Sequence, residues 1–170
     1  MIYVAGGTVH TLGGGSIIVE TQQQSDTTYR LYDYGRPREL HLKNGLAVIK
    51  EKVPSGKTLR PAPAKLNGSG NQRSPLIAAP NFVVDMFELK EPQSFETRDA
   101  SGKTSVQILV ATEGCGMVEV DGKDPVMLAK GDAVVVPADL DKFRVRPQWD
   151  IKFLKSSVPG MRLPEPETRM

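Results

Sequence analysis

A single cysteine, Cys115, stands in the whole chain. It excludes an internal disulfide and suits a reducing compartment, where a buried free thiol is the expected state. Histidine is nearly as scarce, with only His10 and His41 present. Net charge is close to absent, since 22 Lys and Arg face 20 Asp and Glu and leave +2. No stretch concentrates that charge, which argues against a nucleic-acid surface. The basic group Arg36, Arg38 and Lys43 reads as a solvated face. Long apolar runs are missing too: none approaches the roughly 20 residues that span a bilayer, and no charged segment leads into a signal-like apolar core. The expected location is cytoplasmic, with neither a membrane nor a nucleic acid as partner.

What is present is an ordinary globular composition of 170 residues, 39% hydrophobic and 25% charged. That is enough for one good core, or for one core and part of another. Residues 1–35 read as short strands broken by glycines, "MIYVA", "SIIVET" and "TTYRLYDY", all rich in β-branched or aromatic residues. "RPRELHLKNGLAVIKEK" predicts one short helix over Lys43–Lys52, which Gly45 weakens by about 1 kcal/mol relative to alanine. Residues 53–74 offer Pro, Gly, Ser and Lys without apolar periodicity and read as a linker or surface loop.

From Pro75 the strand pattern returns at short, regular spacing: "NFVVDMFEL", "SFETRD", "SVQILVATEG", "GMVEVDG", "DPVMLAK", "DAVVVPA", "DKFRVRP" and "WDIKFLKSS". These candidates fit one closed antiparallel barrel over 75–157. Residues 158–170 carry three prolines and little to bury, and read as a mobile tail. The glycines of "LGGGS" lack a Gly-Lys-Ser/Thr ending and a following helix, so they read as a flexible turn and not as a phosphate cradle.

Several motifs carry a resemblance. "GTVH", the "GD-x4-P" pattern at Gly131 to Pro137, "G-x-G" at Gly114 and Gly116, and "DG" at Asp121-Gly122 resemble the cupin superfamily of small β-barrels. In metal-binding cupins, imidazoles and a carboxylate project into the barrel from neighbouring strands. Ser105 to Gly122 contains no histidine, so the resemblance implies a C-terminal barrel without metal ligands. The first 42 residues are similar to something narrower. "YVAGGTVHTLGGGSIIVETQQQSDTTYRLYDYGRPRELHL" resembles the C-terminal part of the catalytic domain of class I, zinc-dependent mannose-6-phosphate isomerases in their short bacterial form. "GTVH", the spacing from Glu20 to Ser25-Asp26 and the run "SDTTYR" carry it. One departure is Ala5-Gly6, where the family more often has Pro-Ala before the glycine.

The resemblance implies an all-β chain: the last strands of a catalytic cupin barrel over 1–52 with one short helix, the linker, and a complete degenerate jelly-roll-like barrel over 75–157. It implies isomerisation of mannose 6-phosphate to fructose 6-phosphate. It also implies a zinc ion held by a Gln, a His and a Glu from upstream segments together with His10. Only His10 of that set is carried by this chain, and His41 falls in the connection to the helix. A lone imidazole is not a tight zinc site, which needs three or four converging ligands. The isolated chain is therefore expected to be inactive, with self-association or a separate N-terminal half as its partner.

By position, Glu20, Asp26 and Arg30 match active-site residues of the family. Moving a proton between C1 and C2 through an enediolate needs an acid/base group and positive charge for the developing oxyanion. Read without the family, Arg30 with Glu20 or Asp26 is equally a cross-strand ion pair, and Ser25-Asp26 a turn. Two functions stay open: a sugar-phosphate isomerase, and a non-enzymatic cupin module for sugar binding or assembly.

Overall fold

The computed structural model describes residues 1–25, 27–58, 62–66, 70–99 and 101–159. The chain divides into two compact units, Met1–Leu59 and Arg60–Met170. Most of the segment expected as a tail, from residue 160 on, lies outside the described residues.

In the first unit, strand β1 (Ile2–Tyr3) pairs antiparallel with β2 (Gly56–Lys57). The Ser55 hydroxyl accepts from the Ala5 N–H at 2.9 Å and lies 2.7 Å from the Thr8 hydroxyl, fastening the turn that leads to His10. Residues 53–74 supply β2 here and, in the second unit, the strand Ala64–Lys65 and the first three residues of the strand Gln72–Ala78. Helix α1 (Leu42–Val48) begins a residue before the predicted start and stops at Val48, where Ile49 takes an extended backbone with ψ 135°. Gly45 is a packing requirement of this helix: it is buried, and a Cβ there would stand 2.5 Å from Leu31 Cδ2.

The strands predicted at Ser16–Thr21 and Thr27–Tyr34 do not form among the described residues. Their β-branched side chains supply propensity, but neither segment is paired into a strand ladder among the described residues, and propensity alone does not make one. Ile17, Ile18 and Val19 are exposed accordingly.

The second unit holds an eight-stranded antiparallel sheet system. Its strands are β3 (Ala64–Lys65), β4 (Gln72–Ala78), β5 (Val83–Leu89), β6 (Gln93–Glu96), β7 (Gln107–Glu119), β8 (Val126–Ala129), β9 (Ala133–Val136) and β10 (Lys142–Ser157). Two of them each replace a pair of predicted strands: "SVQILVATEG" and "GMVEVDG" run on as β7, and "DKFRVRP" and "WDIKFLKSS" as β10. Residues Ile151–Ser157 of β10 lie between β5 and the first half of β7, whereas Arg144 and Val145 lie between β6 and its second half. The two long strands bend together from one sheet into the next, which gives the jelly-roll-like, all-β architecture anticipated from the motifs.

Glycine makes that bend possible. At Gly114, φ is +69° and a Cβ would stand 2.0 Å from the Asp150 carbonyl oxygen, so no other residue fits without moving the partner backbone. The register of β10 shifts opposite this point, between Pro147 and Ile151. Burial along β7 changes phase across it: Gln107, Leu109 and Ala111 point inward before the bend, Gly116 and Val118 after it. That slip is what makes one strand read as two. Cys115 lies at the bend half-buried, not buried, and its thiol donates to Gln148 Oε1 at 3.1 Å.

Between the two sheets the core is built on phenylalanine. Phe87 meets Phe95 edge-on at 4.9 Å between centroids and stacks with Phe153 at 5.5 Å, and Phe95 stacks with Phe143 at 5.2 Å. Leu89, Leu109, Leu128, Val145 and Ile151 are among the aliphatic residues of the buried cluster. Among the described residues no helix is long and apolar enough to cross a membrane.

Candidate functional site

Of the residues singled out in the first unit, His10 is exposed, and its Nδ1 lies 2.9 Å from the Thr8 carbonyl oxygen. Glu20 is exposed on the irregular segment that follows. Asp26 lies outside the described residues; beside it, the Ser25 hydroxyl accepts from the Thr27 N–H at 3.2 Å, which makes a serine turn. Arg30 is half-buried.

Arg30 is placed by a compact polar loop that the sequence reading missed. Its backbone N–H donates to His41 Nδ1 at 3.3 Å and its carbonyl accepts the His41 N–H at 2.7 Å. The His41 imidazole is thus used to hold the loop closed just ahead of α1, and it makes no side-chain cap on that helix. The guanidinium of Arg30 lies 3.8 Å from Asp33 and reaches the Glu39 carbonyl oxygen at 3.5 Å. Among the described residues it makes no ion pair with Glu20 and a local contact to Asp33 instead, while the alternative partner considered from the sequence, Asp26, lies outside the described residues.

Asp33 is the centre of this loop and is buried, 7% exposed. Arg38 grips it with a fork of two hydrogen bonds, Nε to Oδ2 at 2.6 Å and Nη2 to Oδ1 at 2.5 Å. Between the pair, Tyr34 and Gly35 take φ values of 53° and 77°, and the Arg36 N–H closes on the Asp33 carbonyl at 3.0 Å. That is a tight turn with both central residues left-handed. Arg38, read as part of a solvated cationic face, is therefore committed to Asp33. The Tyr34 hydroxyl reaches the Thr11 hydroxyl at 2.5 Å, which ties the loop to the neighbour of His10. An Asp and an Arg flanking a Tyr-Gly turn was the available signal for this arrangement.

The hydrogen bond from Arg38, with the charges of Arg38, Arg30 and Arg36, holds the Asp33 carboxyl below its ordinary 3.8. A carboxyl depressed in this way stabilises the fold above its unfolded pKa and loses that contribution as pH falls through the folded value. The first unit is therefore expected to loosen in acid, below about pH 4. All four tyrosines lie in residues 3–34 and so report on this unit. Their near-ultraviolet circular dichroism should fade in that window in the native chain, while Asp33→Asn should be loosened already at neutral pH and show a flat acid profile. Identical acid titrations of the two proteins would refute the role of the pair.

The residues described do not fit a zinc centre by themselves. Among them no group of three or more His, Cys, Asp or Glu side chains is close enough together to hold a metal ion, and His10 stands with one ring nitrogen beside a backbone carbonyl.

The fold defines the chain as an all-β, cupin-type protein. Its structure matches that of the mannose 6-phosphate isomerase of Bacillus subtilis with a TM-score of 0.59 at 22% identity, over 78% of this chain and 40% of that one. No family model matches the chain. In sequence the chain is related to the mannose-6-phosphate isomerases, as its N-terminal motifs suggested. It is 34% identical to the mannose-6-phosphate isomerase of Streptococcus mutans over 142 residues, 79% of this chain and 42% of the relative. To the mannose-6-phosphate isomerase ManA of Bacillus subtilis it is 34% identical over 149 residues, 84% of this chain and 44% of the relative. The chain thus spans less than half the length of these curated relatives.

Proposed function

We propose that this chain forms the C-terminal portion of a mannose-6-phosphate isomerase, which interconverts mannose 6-phosphate and fructose 6-phosphate. The similarity to two proteins of that name over most of the chain carries the reading. In the reaction a proton leaves C2 of the aldose and returns at C1, while the C1 carbonyl oxygen gains a proton to become a hydroxyl and the C2 hydroxyl loses one to become a carbonyl. The charge that builds on oxygen in the enediolate needs a fixed cation nearby. Arg30 suits that role: its backbone is clamped by His41, its contacts to Asp33 and Glu39 are long, and its guanidinium keeps donors for a ligand. Glu20 and Asp26 are the candidates for carrying the proton. A zinc ion at this site would take His10 as one ligand and its others from residues outside those described.

The test is a fusion of residues 1–170 to the N-terminal portion of the Bacillus subtilis relative, assayed for fructose 6-phosphate by a coupled reaction. Turnover that a chelator abolishes and zinc restores is the expected result. A folded fusion that stays inactive, beside an active control carrying the relative's own C-terminal portion, would overturn the reading and leave the non-enzymatic module.

A further inference from the structure

The second unit carries a groove of about 260 Å³ that the proposed isomerase reaction does not use. It lies where β5, β7 and β10 approach the bend. Four side chains form one row across its floor, because the strand register sets Gln72 opposite Glu88, Glu88 opposite Lys152 and Lys152 opposite Glu113. The Lys152 ammonium stands between the two carboxylates, 3.4 Å from Glu88 and 3.6 Å from Glu113. It fixes both without exhausting them, since their side chains remain 43% and 68% exposed. Lys90 and Asp150 complete the polar lining.

Three carboxylates against two ammonium groups leave the groove an excess of negative charge. A phosphate or carboxylate ligand meets repulsion there, and so does a sugar phosphate. A neutral polyol does not: each hydroxyl donates to a carboxylate and accepts from a lysine or the Gln72 amide. The chain's one tryptophan directly precedes a residue of this lining. Trp149, the neighbour of Asp150, is 83% exposed. The bulge that bears it is pinned by Cys115 on Gln148 and by the close approach of Gly114 to the Asp150 carbonyl. A pyranose offers an apolar ring face for stacking and equatorial hydroxyls for hydrogen bonds, and an exposed indole one residue from a groove of paired donors and acceptors answers both.

We infer that this groove, with Trp149 at its rim, binds a neutral saccharide, at a site separate from the Arg30 loop. Trp149 is the only tryptophan, so its fluorescence reports occupancy directly. Titration of the whole chain with methyl α-D-mannopyranoside and methyl β-D-glucopyranoside should give a saturable change for at least one, with Kd in the range of about 1–10 mM. Mannose 6-phosphate and inorganic phosphate serve as the charged arms and should bind more weakly. Glu113→Gln and Trp149→Ala change exposed side chains and should leave the fold intact by circular dichroism. Each should weaken binding at least tenfold, read for Trp149→Ala by saturation-transfer NMR, whereas Arg30→Ala should not alter it. Absence of saturation up to about 50 mM, tighter binding of the sugar phosphate than of the neutral glycosides, or full affinity in both groove variants would overturn the proposal.

Discussion

Gly114→Ala is expected to destabilise the second unit by on the order of 4 kcal/mol, a very large effect for the addition of one methyl group. Alanine in the left-handed conformation that Gly114 adopts costs about 1–2 kcal/mol by itself. The remainder comes from space: the new Cβ falls 2.0 Å from the Asp150 carbonyl oxygen, so the backbone of β10 must retreat. That retreat breaks ladder hydrogen bonds, each worth about 1 kcal/mol, where β7 and β10 pass from one sheet to the other. Gly102→Ala separates the two causes, since Gly102 also has a positive φ, 83°, but nothing within 4 Å of its Cβ position. Urea unfolding followed by far-ultraviolet circular dichroism should show a much larger shift in midpoint for Gly114 than for Gly102. Equal shifts would mean that the bend is soft and that the long strands do not depend on it.

In the active fusion, Arg30→Ala should lower kcat about 100-fold or more, because one fixed stabiliser of a developing oxyanion is typically worth about 3 kcal/mol in a site closed to water. Arg30→Lys should recover part of the rate, since an ammonium keeps the charge and loses the planar fork. The alternative is that Arg30 only braces its loop through the 3.8 Å contact to Asp33. A pair of that kind contributes less than about 1 kcal/mol to stability and nothing to turnover. The two variants therefore discriminate through kcat at unchanged thermal midpoint. Equal turnover of the native and Arg30→Ala fusions would remove Arg30 from the reaction and would leave the groove proposal standing, because the groove residues belong to the second unit.

Much of this was legible in the sequence because it is local. The spacing of short strands after Pro75 and the restriction of helical pattern to one short segment determined an all-β chain. The "GTVH" and "SDTTYR" motifs determined its relatives, since a motif is read residue by residue. The sequence also showed a helix near Lys43, though not that Gly45 exists to let it rest on Leu31.

The tertiary structure decided what depends on register between distant residues. Whether "SVQILVATEG" and "GMVEVDG" are two strands or one turns on a partner strand that bends with them and on a phase slip at Gly114. Whether "SIIVET" becomes a strand turns on a ladder partner, and propensity alone does not supply one. Arg38 looks solvated in one dimension and is committed in three, because burial of Asp33 is a property of the folded loop. The row from Gln72 through Glu88 and Lys152 to Glu113 joins residues from four segments of the chain, and only strand pairing places them in line. Local chemistry chooses the kind of element; pairing and burial choose its extent and its neighbours, because both are energies of contact between parts that the linear order keeps apart.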